Sequence, residues 1–192
     1  MPAKKELMLV LPSTSHPVIR LVLRFFFNAP ATFSLLILPA LTPEGYMIKI
    51  YNQKLFWLKR DFVGGCLVGI SCATSNSYEA YKIADRFRKA GSVVVLGGLH
   101  PSYFPQEALK HCDSVVIGEA ESVWPGLVQD YENKTLKQTY EGSPVEDYFS
   151  LSYQYFLKID PRILYKTGLL LSRGCKYHCD FCVPHSGGLR LV

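Results

Sequence analysis

The sequence predicts an α/β domain built on a doubly wound parallel sheet. Three observations lead there: short apolar runs recur along residues 1–145, helical segments separate them, and small, polar or glycine-rich residues follow most of them. Strands buried on both faces of a parallel sheet read as unbroken runs of Val, Ile and Leu, and alternation with helices is what parallel pairing requires.

In chain order, the opening MPAKKELMLVLPS places two lysines before an apolar run. Pro12 ends that run and no small-residue cleavage site follows, so Leu7 to Leu11 reads as a first strand and not a signal peptide. The stretch from Leu21 to Leu41 has the length of a membrane span. Arg24, Asn28, Pro30 and Pro39 interrupt it, and the expected form is a loop followed by a buried helix, with no membrane partner. Met47 to Tyr51 and Cys66 to Ile70 read as the second and third strands. Ser77 to Ala90 then places Ala80, Ile83, Ala84, Phe87 and Ala90 on one face, with Lys82, Asp85, Arg86 and Lys89 mostly opposite. That is an amphipathic helix, stopped by Gly91. Val93 to Leu96 is the fourth strand, Gln106 to Lys110 a helix, and Ser114 to Ile117 the fifth strand. A last helix, Val123 to Glu132, tolerates Pro125 in its first turn. Five strands with helices between them predict flavodoxin-like, Rossmann-type order. After Gly142-Ser143-Pro144 the pattern changes, which gives a domain over 1–145, an aromatic-rich connector over 146–166 and a new unit over 167–192. That unit opens on an apolar strand, Gly168 to Leu171, running straight into cysteines.

The chain has 192 residues, 48% hydrophobic and 19% charged, which suits one globular domain plus part of another and excludes disorder. Lys and Arg number 21 against 16 Asp and Glu, but the excess is scattered, so no nucleic-acid partner is expected. With no export signal, the six cysteines read as reduced thiols and metal ligands in a cytoplasmic protein.

Ligands of such sheets bind at the carboxyl ends of the strands. Four loops stand there, beginning at Pro12, Ser71, Gly97 and Gly118. From them Ser71, Thr74, Ser75, Gly97, Gly98, His100, Gly118 and Glu119 are the candidate cofactor-binding residues. Small side chains let backbone amides approach a large flat or anionic ligand. The same residue types also end strands where nothing binds, so composition alone leaves the cofactor open.

Cys175, Cys179 and Cys182 are more specific. Their spacing lets one loop wrap three thiolates around a face of a cubane cluster, leaving the fourth iron without a protein ligand. Gly174 permits the tight backbone this needs, and Phe181 can shield the site from water. Thiolates also suit zinc, so a structural site completed by His185 stays open, as does a redox dithiol of Cys179 and Cys182.

The C-x-x-x-C-x-x-C segment, with an aromatic before its last cysteine and Ser172-Arg173-Gly174 ahead of it, resembles the signature of radical S-adenosylmethionine (SAM) enzymes. Upstream, Leu41-Thr42-Pro43-Glu44-Gly45-Tyr46, Val95-Leu96-Gly97-Gly98-Leu99-His100-Pro101 and Val116-Ile117-Gly118-Glu119-Ala120-Glu121 look like the cobalamin-binding-type domain that precedes the radical core in one large class of them. The resemblance implies that Cys175, Cys179 and Cys182 hold a 4Fe-4S cluster whose open iron takes the amino and carboxylate groups of SAM. An electron from a reductant such as flavodoxin or ferredoxin would cleave the sulfonium bond, and the resulting 5′-deoxyadenosyl radical would take hydrogen from a small-molecule substrate whose identity stays open. Methyl transfer is frequent in this class.

The chain departs from the pattern in two ways. It lacks the Asp-x-His-x-x-Gly motif whose histidine ligates cobalt from below, so cobalamin here would bind without a histidine ligand, or the domain keeps the fold without the cofactor. His16 and His100 read as loop histidines without a metal role. Of the barrel that carries the radical chemistry, only the first strand and the cluster loop are expected, which makes the chain read as a fragment or a truncated product. Two rival readings stand beside this one. In a methylthiotransferase Cys66, Cys72 and Cys112 would hold a second cluster, although their places beside a strand suit small buried hydrophobes better. In a pure binding module the domain would carry cobalamin or dock a partner without activity.

Overall fold

A computed structural model describes residues 5–13, 33–52, 64–145, 172–174, 177 and 190–191. Among them are six parallel strands in one sheet: β1 (Lys5–Leu11), β2 (Tyr46–Asn52), β3 (Leu67–Ser71), β4 (Val93–Gly97), β5 (Ser114–Gly118) and β6 (Thr139–Gly142). Their spatial order is β2-β1-β3-β4-β5-β6, so this is the doubly wound, flavodoxin-like sheet, extended by one strand.

Because side chains alternate across a strand, the apolar runs feed two cores. On one face Met8, Val10, Val68, Ile70, Val94, Leu96 and Val115 meet helix α2 (Ser77–Lys89) through Ala80, Tyr81, Ile83, Ala84 and Phe87. On the other, Leu7, Leu9, Leu11, Leu67, Val95 and Val116 meet helix α1 (Phe33–Leu41) through Leu38, and helix α5 (Trp124–Glu132) through Trp124, Leu127 and Val128. The α2 helix ends as its sequence requires. Gly91 takes the left-handed conformation at φ +89°, its N–H reaches the Arg88 carbonyl, and the Ser92 N–H reaches the Phe87 carbonyl. That pair of bonds satisfies carbonyls the helix would otherwise leave open.

The α1 helix covers the end of the ambiguous apolar stretch. It is only nine residues long, with Ile37 and Leu38 buried. Residues 21–32 lie outside the described residues. No helix among the described residues is long and apolar enough to cross a membrane.

Three elements differ from the sequence reading. A sixth strand is present at Thr139–Gly142, where only Tyr140 is buried. The Leu99-His100-Pro101 loop is instead a short helix, α3 (Leu99–Tyr103), with its proline inside the first turn, where no intrahelical N–H is needed. The helix expected at Gln106 to Lys110 begins and ends earlier, as α4 (Pro105–Ala108). Downstream, Ser172–Arg173 (β7) pairs antiparallel with Arg190–Leu191 (β8). The expected strand Gly168 to Leu171 and most of the connector lie outside the described residues.

Cys66, Cys72 and Cys112 are all buried, with 3% exposure or less. Cys66 and Cys72 flank opposite ends of β3, and a strand rises about 3.3 Å per residue. They cannot share one cluster. Burial pushes the thiols of Cys72 and Cys112 from the ordinary 9.0 up to about 12, which favours neutral thiols over metal-binding thiolates. This is the physical objection to the methylthiotransferase reading. It also sets a pH dependence. Above the unfolded value the unfolded chain loses these protons while the folded chain keeps them. The stability they contribute is therefore complete below pH 9 and lost as the pH climbs toward 12. Urea midpoints should fall across that window; a flat profile to pH 11 would contradict buried neutral thiols.

Candidate functional site

A cleft of about 100 Å³ opens over the carboxyl ends of β3, β4 and β5. Its floor is made by small residues on one sheet face: Gly69, Ser71, Gly97 and Gly118, with Val95 and Val116 between them. Trp124 and Leu38 form an apolar wall, and Glu119, Ala120, Glu121 and Arg173 form a polar one. The floor is low for a physical reason. A Cβ on Gly69 would come within 3.0 Å of the Leu9 Cδ2 and 3.2 Å of the Trp124 ring, so only glycine lets the indole lie this close to the strand. Trp124 is 1% exposed, and its indole N–H donates to the Thr42 hydroxyl at 3.0 Å. That hydroxyl in turn donates to the Leu38 carbonyl at 2.7 Å, which ties α5 to α1 across the cleft's back.

Five of the candidate cofactor residues therefore line one cleft: Ser71, Gly97, Gly98, Gly118 and Glu119. The other three are placed elsewhere. Thr74 and Ser75 stand exposed on a single 3-10 turn, Thr74–Asn76. His100 is 6% exposed, its ring 3.3 Å from the Thr74 hydroxyl on one side and 3.3 Å from Glu107 on the other, with Phe104 packed against it. The His100 hydrogen bond holds the Glu107 carboxyl below its usual range. His100 thus has the partners of a buried structural histidine. His16 lies outside the described residues.

The switch point between β1 and β3, where such sheets commonly bind ligands, is bridged by the chain itself. The Asn76 amide donates to the Pro12 carbonyl at 3.0 Å, and its side-chain oxygen accepts from the Ala73 N–H at 2.8 Å.

The two glycines after β4 do different work. Gly98 sits at φ +99°, and a Cβ there would lie 2.8 Å from the Cys72 carbonyl oxygen. Its role is to let two strand-end loops touch, so Gly98→Leu is expected to destabilise the domain whether or not a ligand is present. A urea midpoint equal to wild type would contradict that. Gly97 has ordinary backbone geometry, and a Cβ there meets only Val116 Cβ, at 3.6 Å. A larger side chain at 97 would enter the cleft. Ser102, not singled out by the sequence, fixes the edge: its hydroxyl donates to the Gly98 carbonyl at 2.8 Å and accepts from the Gly118 N–H at 3.0 Å.

Arg173 and Glu121 were legible as motif members without a role. Arg173 Nη2 lies 2.8 Å from Glu121 Oε1, and its Nη1 lies 3.7 Å from Glu119 Oε1. The Glu121 side chain is 1% exposed and that of Arg173 16%. The second oxygen of Glu119 accepts the Val145 N–H at 3.0 Å. One acidic turn after β5 thus grips both the chain leaving the sheet and the residue two positions before Cys175. Cys175, Cys179, Cys182 and His185 lie outside the described residues.

Comparison with known proteins agrees with the fold. Residues 59–128 match the family model described as the B12 binding domain. The matched stretch carries most of the cleft: Ser71, Gly97, Gly98, Gly118, Glu119, Glu121 and Trp124. Over that stretch the chain is similar to B12-binding domains, in keeping with its flavodoxin-like sheet. A bacteriochlorophyllide d C-8(2)-methyltransferase of Chlorobaculum tepidum is 37% identical over 155 residues, covering 77% of this chain and 34% of that protein. A bacteriochlorophyllide d C-12(1)-methyltransferase of the same organism is 34% identical over 134 residues, covering 65% of this chain and 28% of that one. An uncharacterised methyltransferase of Pyrococcus horikoshii is 28% identical over 149 residues, 60% of this chain and 31% of its own length. The chain spans about a third of the length of these relatives. No solved structure matches it.

Proposed function

We propose that this chain is the N-terminal portion of a radical SAM methyltransferase, with cobalamin held at the cleft and a 4Fe-4S cluster held by Cys175, Cys179 and Cys182. One observation carries the reading. In a B12-binding-type domain, the residue that introduces the cysteine segment is paired with the rim of the cleft, through Arg173, Glu121 and Glu119.

The residues present suit the cofactor. Ser71, Gly97 and Gly118 keep the floor low enough for a flat ring to approach the backbone, and Trp124 supplies an apolar wall. A cleft of about 100 Å³ encloses only part of a cobalamin, so the rest would extend beyond the carboxyl edge. Bound cobalamin would supply a transferable methyl group, and a reduced cluster the electron for cleaving SAM. The chain's own share is position and exclusion of water. Reduction by a flavodoxin or ferredoxin and a cytoplasmic setting belong to the same reading, and the substrate is a small molecule of unassigned identity.

Anaerobic reconstitution tests it. The chain should carry about four irons, one cubane's worth, and take up hydroxocobalamin. About eight irons would indicate a methylthiotransferase, cobalamin without iron a binding module, and stoichiometric zinc a structural site.

A further inference from the structure

Burying an ion pair seldom adds net stability, because desolvation of both charges offsets their attraction; its best-attested use is to fix register. The Arg173–Glu121 pair is such a case. Glu121 is almost wholly enclosed, on the turn that walls the cleft. Arg173 sits in β7, immediately before Gly174, which takes the left-handed conformation at φ +81° and turns the chain. Through β8, Arg173 also faces Arg190, so the pair β7–β8 brackets residues 174–189, the stretch that contains the three cysteines. The start of that stretch is thus held beside the cleft, and the Arg173 guanidinium is itself part of the cleft wall.

From this geometry we infer that Arg173 is a positioning residue that couples occupancy of the cleft to the setting of the cysteine loop. An occupant of the cleft meets the Arg173 side chain directly, and any shift of that side chain is passed to the backbone two residues from Cys175. Glu119 extends the coupling, since it holds Arg173 with one oxygen and the Val145 N–H at the start of the connector with the other. The inference rests on the reading that cobalamin enters the cleft and that the cysteines hold a cluster.

Coupling between two binding sites is reciprocal. The test therefore measures the dissociation constant of hydroxocobalamin for the whole chain with and without its cluster, in wild type, Arg173→Met, Arg173→Lys and Glu119→Gln, with circular dichroism confirming the fold of each. In wild type, cluster loading should tighten cobalamin by about fivefold or more, the lower end of typical coupling. Arg173→Met should bring that ratio to one, while Arg173→Lys and Glu119→Gln keep part of it. A purely structural role would alter the two constants together and leave the ratio intact. The inference is overturned by a wild-type ratio of one, or by a folded Arg173→Met chain with the wild-type ratio. Should Arg173→Met not fold, an undiminished ratio in both other variants overturns it. Absence of cobalamin uptake by folded, cluster-loaded wild type is a separate result, which removes the functional reading and this inference with it.

Discussion

Replacing Trp124 with alanine is expected to lower the unfolding free energy by about 3–5 kcal/mol, the usual cost of truncating a fully buried aromatic. The indole lies against Gly69 and caps the Thr42 hydroxyl, so truncation removes apolar contact and one buried hydrogen bond together. Since an ordinary domain is stable by only about 5–15 kcal/mol, the variant should be marginal at physiological temperature. Urea unfolding should show a lower midpoint with an unchanged slope. A loss below about 1 kcal/mol would mean that neighbouring side chains refill the space, and that Trp124 is not the fixed wall described here.

On the proposed reading, single replacement of Cys175, Cys179 or Cys182 with alanine should abolish stable assembly of a 4Fe-4S cluster while the α/β domain stays folded. A cubane bound by three thiolates has no spare protein ligand, and the two cores of the sheet are built from residues 7–140. Iron content and the absorbance of the reconstituted protein should drop to background, with far-ultraviolet circular dichroism unchanged. Full iron occupancy in any one variant would show that another group serves as ligand.

The strands β1, β3, β4 and β5 were legible because they are buried on both faces and so carry apolar runs, whereas β2, a half-buried edge strand, was legible from Met47, Ile48, Ile50 and Tyr51 despite Lys49. The β6 strand was not: it lies at the sheet edge, Tyr140 is its one buried side chain, and Thr139-Tyr140-Glu141-Gly142 has the composition of a turn. The α3 helix was hidden by Pro101, which reads as a breaker until its place in the first turn is known. The floor of the cleft was legible in Ser71, Gly97 and Gly118, since strand-end residues of this architecture have a fixed destination. Its walls were not. Trp124 reaches Thr42 across 82 positions and Arg173 reaches Glu121 across 52, and no local pattern reports such pairings. His100 shows how a loop residue can be committed by partners that the sequence does not report. A histidine in a glycine-rich loop looks available for a ligand, yet Thr74 and Glu107 occupy both of its nitrogens. Gly98 does line the cleft, but its missing side chain also makes room for the Cys72 backbone, which the sequence did not show.

The measurement that bears most directly on the central claim is equilibrium dialysis of hydroxocobalamin against wild type and Gly97→Leu. Gly97 is suited to it because an added Cβ meets only Val116, so the bulk of a leucine would occupy the cleft without forcing the backbone. Cobalamin binding at this cleft predicts saturable uptake by wild type and at least a tenfold weaker affinity in Gly97→Leu, about 1.4 kcal/mol, with matching urea midpoints for the two proteins. Uptake that is equal in both, or absent from folded wild type, would contradict it.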